Sequence, residues 1–208
     1  MSSRIRLALI TPPSVEPVTL AETKAWLKVD GTDDDALITS LITAARTSAE
    51  DYTRRAFITQ AWRQSLDLSG WGMGDGLPEG VYDLPSTVLY CALPRLVELL
   101  RPPVISITTV TTYSTSNVAA VYSSANYSLI NDRLVQLNTA TWPSDVRQFG
   151  ALEVVTLNGY GASAASVPEP IKTAIKMHVM KMYDGRTICE MPPACEQLLR
   201  RYRITSLR

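Results

Sequence analysis

Histidine is nearly absent from this 208-residue chain, which has only His178. A His-rich zinc site is therefore excluded, and any Ser-His-Asp arrangement would have to use that one residue. His178 lies beside an apolar helical stripe with no Cys or His at ligand spacing, the setting of a packed helical histidine. Cysteine is scarce as well. An odd set, Cys91, Cys189 and Cys195, makes no disulfide framework and suits a reducing compartment. Cys189 and Cys195 flank Pro192-Pro193 and miss the CxxC spacing of zinc sites. Net charge is zero at pH 7, so no global field draws the chain to nucleic acid or membrane. No apolar run approaches a membrane span. Leu7 to Ile10, cut off by Pro12-Pro13, is too short for the core of a signal peptide. The expected compartment is a cytoplasm.

What is present is an ordinary globular composition, 46% hydrophobic, on a chain long enough to bury a core without disulfides or metals. The charges are unevenly spread. Asp30, Asp33, Asp34, Asp35, Glu50 and Asp51 crowd the first half. Arg200, Arg201, Arg203 and Arg208 face only Glu190 and Glu196 at the end, a basic C-terminus of the kind that serves as a docking tail or a solvated end.

Both ends of the chain read as helix. Thr19 and Glu22 form a capping box, opening a short helix through Trp26-Leu27-Lys28 that is expected to stop at Asp30-Gly31. A second helix opens near Asp33. Leu37, Ile38, Leu41, Ile42, Ala45, Ala49, Tyr52 and Ala56 recur at steps of three and four, predicting one buried face over about six turns. Asp33, Asp34 and Asp35 sit at its positive dipole end, where exposed carboxylates stabilise by roughly 0.3–1 kcal/mol each. After Pro168-Glu169-Pro170 a third helix carries the stripe Ile171, Ala174, Ile175, Val179, Met182 and Tyr183. A last short helix spans Ala194 to about Arg201.

The middle reads as strand. Ile58 to Leu68 alternates, with Ile58, Trp62, Leu66 and Leu68 on one face. Val104 to Tyr113 is strand-like, Tyr127–Ile130 and Arg133–Leu137 flank a tight Asn131-Asp132 turn, and Leu152 to Leu157 ends at Asn158-Gly159. The fold class is α+β: a small helical bundle from residues 1–57 and 165–208, with an antiparallel β region, 58–164, inserted between them.

No catalytic, cofactor-binding or metal-binding residues emerge. The run Gly70 to Gly76 meets neither GxGxxG nor GxxxxGK[ST] and reads as a surface loop. The aspartates around Gly31 lack the glycine position and terminal glutamate of a calcium loop, which leaves helix capping as their reading. The β region has no aromatics interleaved with bases, as a single-strand binder would.

Several segments together resemble a known family. They are Trp26-Leu27-Lys28-Val29-Asp30, Asp33-Asp34-Asp35-Ala36-Leu37-Ile38, Ala44-Ala45-Arg46 and Glu50-Asp51-Tyr52-Thr53-Arg54-Arg55-Ala56-Phe57. Gln60-Ala61-Trp62, Leu100-Arg101-Pro102-Pro103, Trp142-Pro143, Asn158-Gly159-Tyr160-Gly161 and Val167-Pro168-Glu169-Pro170 follow in order. Tyr183-Asp184-Gly185-Arg186 and Leu198-Leu199 with Tyr202-Arg203 complete the set. The pattern is similar to that of tailed-phage head–tail connector (adaptor) proteins. Residues 71–99, with the apolar run Val88-Leu89-Tyr90-Cys91, depart from it.

The resemblance implies a non-enzymatic structural protein of the virion neck, assembled in the host cytoplasm. Copies of itself would form a ring, usually of twelve, beneath the portal protein. The ring would extend the channel for double-stranded DNA, pass the DNA without binding it specifically, and meet a stopper or tail-terminator protein. Long amphipathic helices packed side by side are the expected source of the ring's two lateral faces. Leu199, Tyr202, Arg203, Ile204 and Leu207 are the expected portal-docking residues, the alternative being a tail packed on its own subunit. Asp33, Asp34 and Asp35 are candidates to face the channel, against simple capping. The competing functions are a stopper or tail-completion protein, and a small-molecule-binding or enzymatic β module. The helical ends argue against the first, and the lone histidine argues against the second.

Overall fold

The computed structural model describes residues 5–68, 93–186 and 190–205. The fold is α+β and resolves into two units. One gathers Met1–Ile10, Trp62–Leu99 and Ser106–Thr156; the other gathers Thr11–Ala61, Leu100–Ile105 and Leu157–Arg208.

The second unit is helical. Helix α1 (Leu20–Leu27) opens with the expected capping box: the Thr19 hydroxyl accepts from the Glu22 amide at 3.2 Å, and the Thr19 amide donates to Glu22 Oε2 at 2.8 Å. Its end differs from expectation. Lys28, not Gly31, takes the left-handed conformation (φ 57°), and its amide returns to the Lys24 carbonyl. Helix α2 (Asp35–Thr53) starts later than Asp33, so Asp33 and Asp34 belong to the preceding turn. Its periodic positions Ile38, Ile42, Ala45 and Ala49 are buried, whereas Leu37, expected on that face, is 44% exposed and Ala56 lies beyond the helix end. Helix α3 (Glu169–Gly185) buries Ile171, Ala174, Ile175, Val179 and Met182, and His178 is buried among them. The two helices pack on each other, and the alanines at the contact allow close approach. Helix α4 (Pro193–Leu199) closes the core with Cys195 and Leu199.

The first unit is built from strands. A five-stranded sheet has the order β1-β2-β8-β4-β5, from β1 (Ile5–Thr11), β2 (Gln60–Leu66), β4 (Val104–Tyr113), β5 (Ala119–Val121) and β8 (Leu152–Asn158). A three-stranded antiparallel sheet, β3-β7-β6, joins β3 (Leu96–Glu98), β6 (Tyr127–Ile130) and β7 (Arg133–Gln136). The β6–β7 hairpin turns as expected, with Asn131 and Asp132 both at positive φ and Ile130 opposite Arg133.

Three differences have physical causes. Residues 5–11, read as part of the helical half, form an edge strand of the sheet. The inward face of β2 carries Gln60 and Gln64, both buried, and each amide nitrogen finds an acceptor: Glu50 for Gln60 and the Glu98 carbonyl for Gln64. Strand β5 was too short to leave a sequence signal. The glycine run Gly70 to Gly76, the segment Val88 to Cys91, and Cys189 lie outside the described residues.

Candidate functional site

The aspartate cluster serves the fold through two of its three members. Asp34 occupies the N-cap position of α2 but makes no side-chain cap bond. Instead its Oδ2 accepts from the Tyr183 hydroxyl of α3 at 2.6 Å. That bond to an anion holds the Tyr183 phenol above the ordinary tyrosine range. Asp35 pairs with Lys24 of α1 at 2.6 Å. The start of α2 is thus tied to both neighbouring helices. Asp33 is exposed and makes no ion pair among the described residues. Side-chain capping, expected for these aspartates, is replaced by tertiary bonds that sequence spacing could not show.

The C-terminal element is likewise partly committed. Leu199, expected as a docking anchor, is buried in the helical core and is not presented to a partner. The half-buried Tyr202 accepts the Arg55 guanidinium on its carbonyl at 2.6 Å. Arg203 lies 5.0 Å over the Tyr52 ring, and the Ile204 amide donates to the Thr53 carbonyl at 3.1 Å. Residues 199–204 therefore pack on the end of α2. Arg200 and Arg201 remain exposed beside an open groove of about 700 Å³ that Pro170, Gln197, Leu198 and Tyr202 also line. Leu207 lies outside the described residues.

The separated motifs of the sequence meet at the C-terminal end of α2. Glu50 is buried, and it accepts from Arg46 at 2.8 Å, the Phe57 amide at 2.9 Å and Gln60 at 2.7 Å. Arg46 also reaches Glu16 at 2.7 Å. Burial pushes the Glu50 carboxyl above the usual carboxylate range, and the three donors only partly offset that. Arg101 pairs with Asp51, and the Ala56 amide donates to the Pro102 carbonyl, next to a cis Pro102–Pro103 bond. The Asn158 amide group donates to the carbonyls of Leu100 and Arg101, each at 2.8 Å. Gly159 sits at φ +136°, and a Cβ there would fall 2.6 Å from the Ile58 carbonyl. These residues are a structural knot. The sequence offered them as identifying segments, and nothing in their spacing announced that they touch.

Among the described residues no group of His, Cys, Asp and Glu could hold a metal, and no helix is long and apolar enough to cross a membrane. No arrangement of nucleophile, base and oxyanion donors appears in these clusters. What the helical unit offers is surface.

Comparison with known proteins bears on that surface. Among the solved chains that match, three do so at 21% identity, a level that speaks for the fold. A chain in the neck of an empty gene transfer agent particle computed with C6 symmetry aligns with a TM-score of 0.74, covering 98% of this chain and 97% of that one. A chain of the native particle's neck computed with C12 symmetry gives 0.71, over 98% and 97%. One from the virion of the native gene transfer agent particle gives 0.72, over 97% of both. No curated protein matches the chain. Residues 17–90 match the family model described as phage gp6-like head-tail connector protein.

Proposed function

We propose that this protein is a structural adaptor of a virion neck. Copies assemble, twelve to a ring, beneath the portal, extend the DNA channel and join head to tail after assembly in the host cytoplasm. The observation that carries this reading is the pairing of the family match over residues 17–90 with a likeness to neck chains over nearly the full length of both partners. A stopper or tail-terminator protein docks on the opposite side of the ring.

The portal-docking role is assigned to the exposed Arg200, Arg201 and Arg203 and to the residues beyond Ile204, including Leu207, with Tyr202 and Ile204 orienting the element from their packed positions. Leu199 supports the fold beneath them. The channel-facing role is kept for Asp33, since Asp34 and Asp35 are engaged. A bore that repels phosphate lets DNA pass, whereas a stack of basic contacts would hold it. Negative-stain images of the purified protein with and without portal test the reading. A ring seated on the portal is expected. A persistent monomer whose melting responds to small ligands would overturn it.

A further inference from the structure

The apolar faces of the amphipathic helices are largely used inside their own unit, leaving Trp26, Leu37 and Met180 singly exposed at 43%, 44% and 44%. Ile38, Ile42 and Ala45 of α2 and Ile171, Ile175 and Val179 of α3 lie inside the helical unit. Outside, α2 shows mainly hydroxyls. Thr39, Thr43, Thr47 and Ser48 each bond back to the carbonyl four residues earlier, so they seek no partner.

The five-stranded sheet is different. Its order places β1 and β5 at opposite edges, about 19 Å apart at ~4.8 Å per strand step. On β1, Leu9 and Ile10 are 45% and 49% exposed. Adjacent strand residues point to opposite faces, so neither face of this strand end is covered. The strand contains no proline, glycine or lysine, and Arg6 is its single charge. The usual protections of an edge are missing. At the other edge Val118 and Val121 are 63% and 74% exposed.

Phe149, 66% exposed, stands in a braced loop bonded both to Asn117, just before β5, and to Asp67 and Leu68, just after β2. Arg147 lies 4.0 Å over the Tyr113 ring, donates from Nε to the Gly150 carbonyl at 3.1 Å, and reaches Asn117, next to Val118, at 3.3 Å. The Gly150 amide donates to Asp67 at 2.7 Å, and the Gln148 carbonyl accepts from the Leu68 amide at 2.9 Å. An aromatic held out by bonds on both sides is pre-organised for burial, because little side-chain or loop freedom remains to be lost.

We infer that these two edges meet in the assembled protein: the Leu9–Ile10 end of β1 in one copy covers Val118, Val121 and Phe149 of the next. This rests on the ring reading and names its lateral contact. Two different edges of one sheet make a head-to-tail contact, the kind that closes into rings. Both surfaces are apolar, so they match without ion pairs. Strand β5 has three residues and offers few main-chain groups, so the side chains carry the association.

The full chain, mixed with portal protein, tests this by mass photometry. Ile10→Asp and Val121→Lys should each keep the wild-type melting curve, since both residues are exposed, and each should lower the fraction in rings at least about tenfold. The double variant, which sets Asp against Lys at every contact, should regain rings. Ile10→Cys with Val121→Cys and a short bismaleimide should give a ladder beyond dimer, which neither single variant gives. Rings persisting in both charge variants, or rings lost in Trp26→Ser with Met180→Ser while the edges are intact, would overturn the edge contact and leave the ring standing. A wild-type chain that stays monomeric even with portal present, with no ladder from the double cysteine variant, would overturn the ring and the edge contact together.

Discussion

Replacing Glu50 by alanine should bring the protein close to the limit of folding. The carboxylate accepts three hydrogen bonds in a buried setting, from Arg46, the Phe57 amide and Gln60. Alanine leaves the Phe57 N–H and the Gln60 amide without acceptors, at about 1–3 kcal/mol each. Arg46 loses its buried partner but keeps Glu16, so its share is smaller than that of a fully stranded charge. The sum is roughly 3–6 kcal/mol, against a total stability of about 5–15 kcal/mol for a typical domain. Glu50→Gln keeps an acceptor for Phe57 and Gln60 and turns an amide toward Arg46, at a cost of roughly 1–3 kcal/mol. Urea unfolding followed by circular dichroism measures both. A cost below about 1 kcal/mol for Glu50→Ala would refute the claim that this node ties α2 to β2.

Acid sharpens the same prediction. Burial holds the Glu50 carboxyl above its ordinary value of 4.5 in the folded protein. Between the folded value and 4.5 the folded state therefore binds more protons than the unfolded state. The contribution of this group is fully present below 4.5 and is lost as pH rises through the folded value. The deficit of Glu50→Gln relative to wild type should widen as pH falls from neutral toward 4.5. A deficit that narrows would mean that the three donors outweigh desolvation.

Three further outcomes follow from the geometry. Gly159→Ala should cost about 2–4 kcal/mol, from positive φ and contact with the Ile58 carbonyl, and a melting temperature within error of wild type would contradict it. The alkaline difference spectrum between wild type and Tyr183→Phe should show a phenol titrating above the ordinary value of 10.0, and Asp34→Asn should bring it down. The stabilisation from that bond is present below pH 10 and is lost as pH rises through the folded value. Deleting residues 205–208 should leave the melting temperature unchanged and abolish portal binding, whereas deleting 200–208 also removes the Tyr202 and Ile204 bonds and should lower it. Portal binding by the shorter truncation would move the docking role elsewhere.

Sequence alone determined the class of elements and most of their positions. Periodicity of three and four over residues 38–49 and 171–182 reports which side chains leave water, and that is a local property of a helix. The Thr19–Glu22 box and the Asn131-Asp132 turn were legible for the same reason, since each is closed within a few residues. The ordered run of short motifs also pointed to the kind of protein whose family model matches residues 17–90.

Only the tertiary structure decided what the conspicuous residues do. Asp34 and Asp35 looked like caps, yet they bond to residues 149 and 11 positions away. Leu199 looked like an anchor and is core. Nothing in the sequence marked Gln60 and Gln64 for burial, and they sit on a buried strand face with their amide nitrogens donating to Glu50 and the Glu98 carbonyl. Residues 5–11 carried no partner in their own neighbourhood, and became an edge only when β2 was laid beside them. A hydrogen bond depends on distance and direction in space, and the chain brings donor and acceptor together only after it folds. Sequence spacing therefore fixes local elements, whereas the pairing of their polar groups, and the choice of which apolar groups stay in water, is settled by packing.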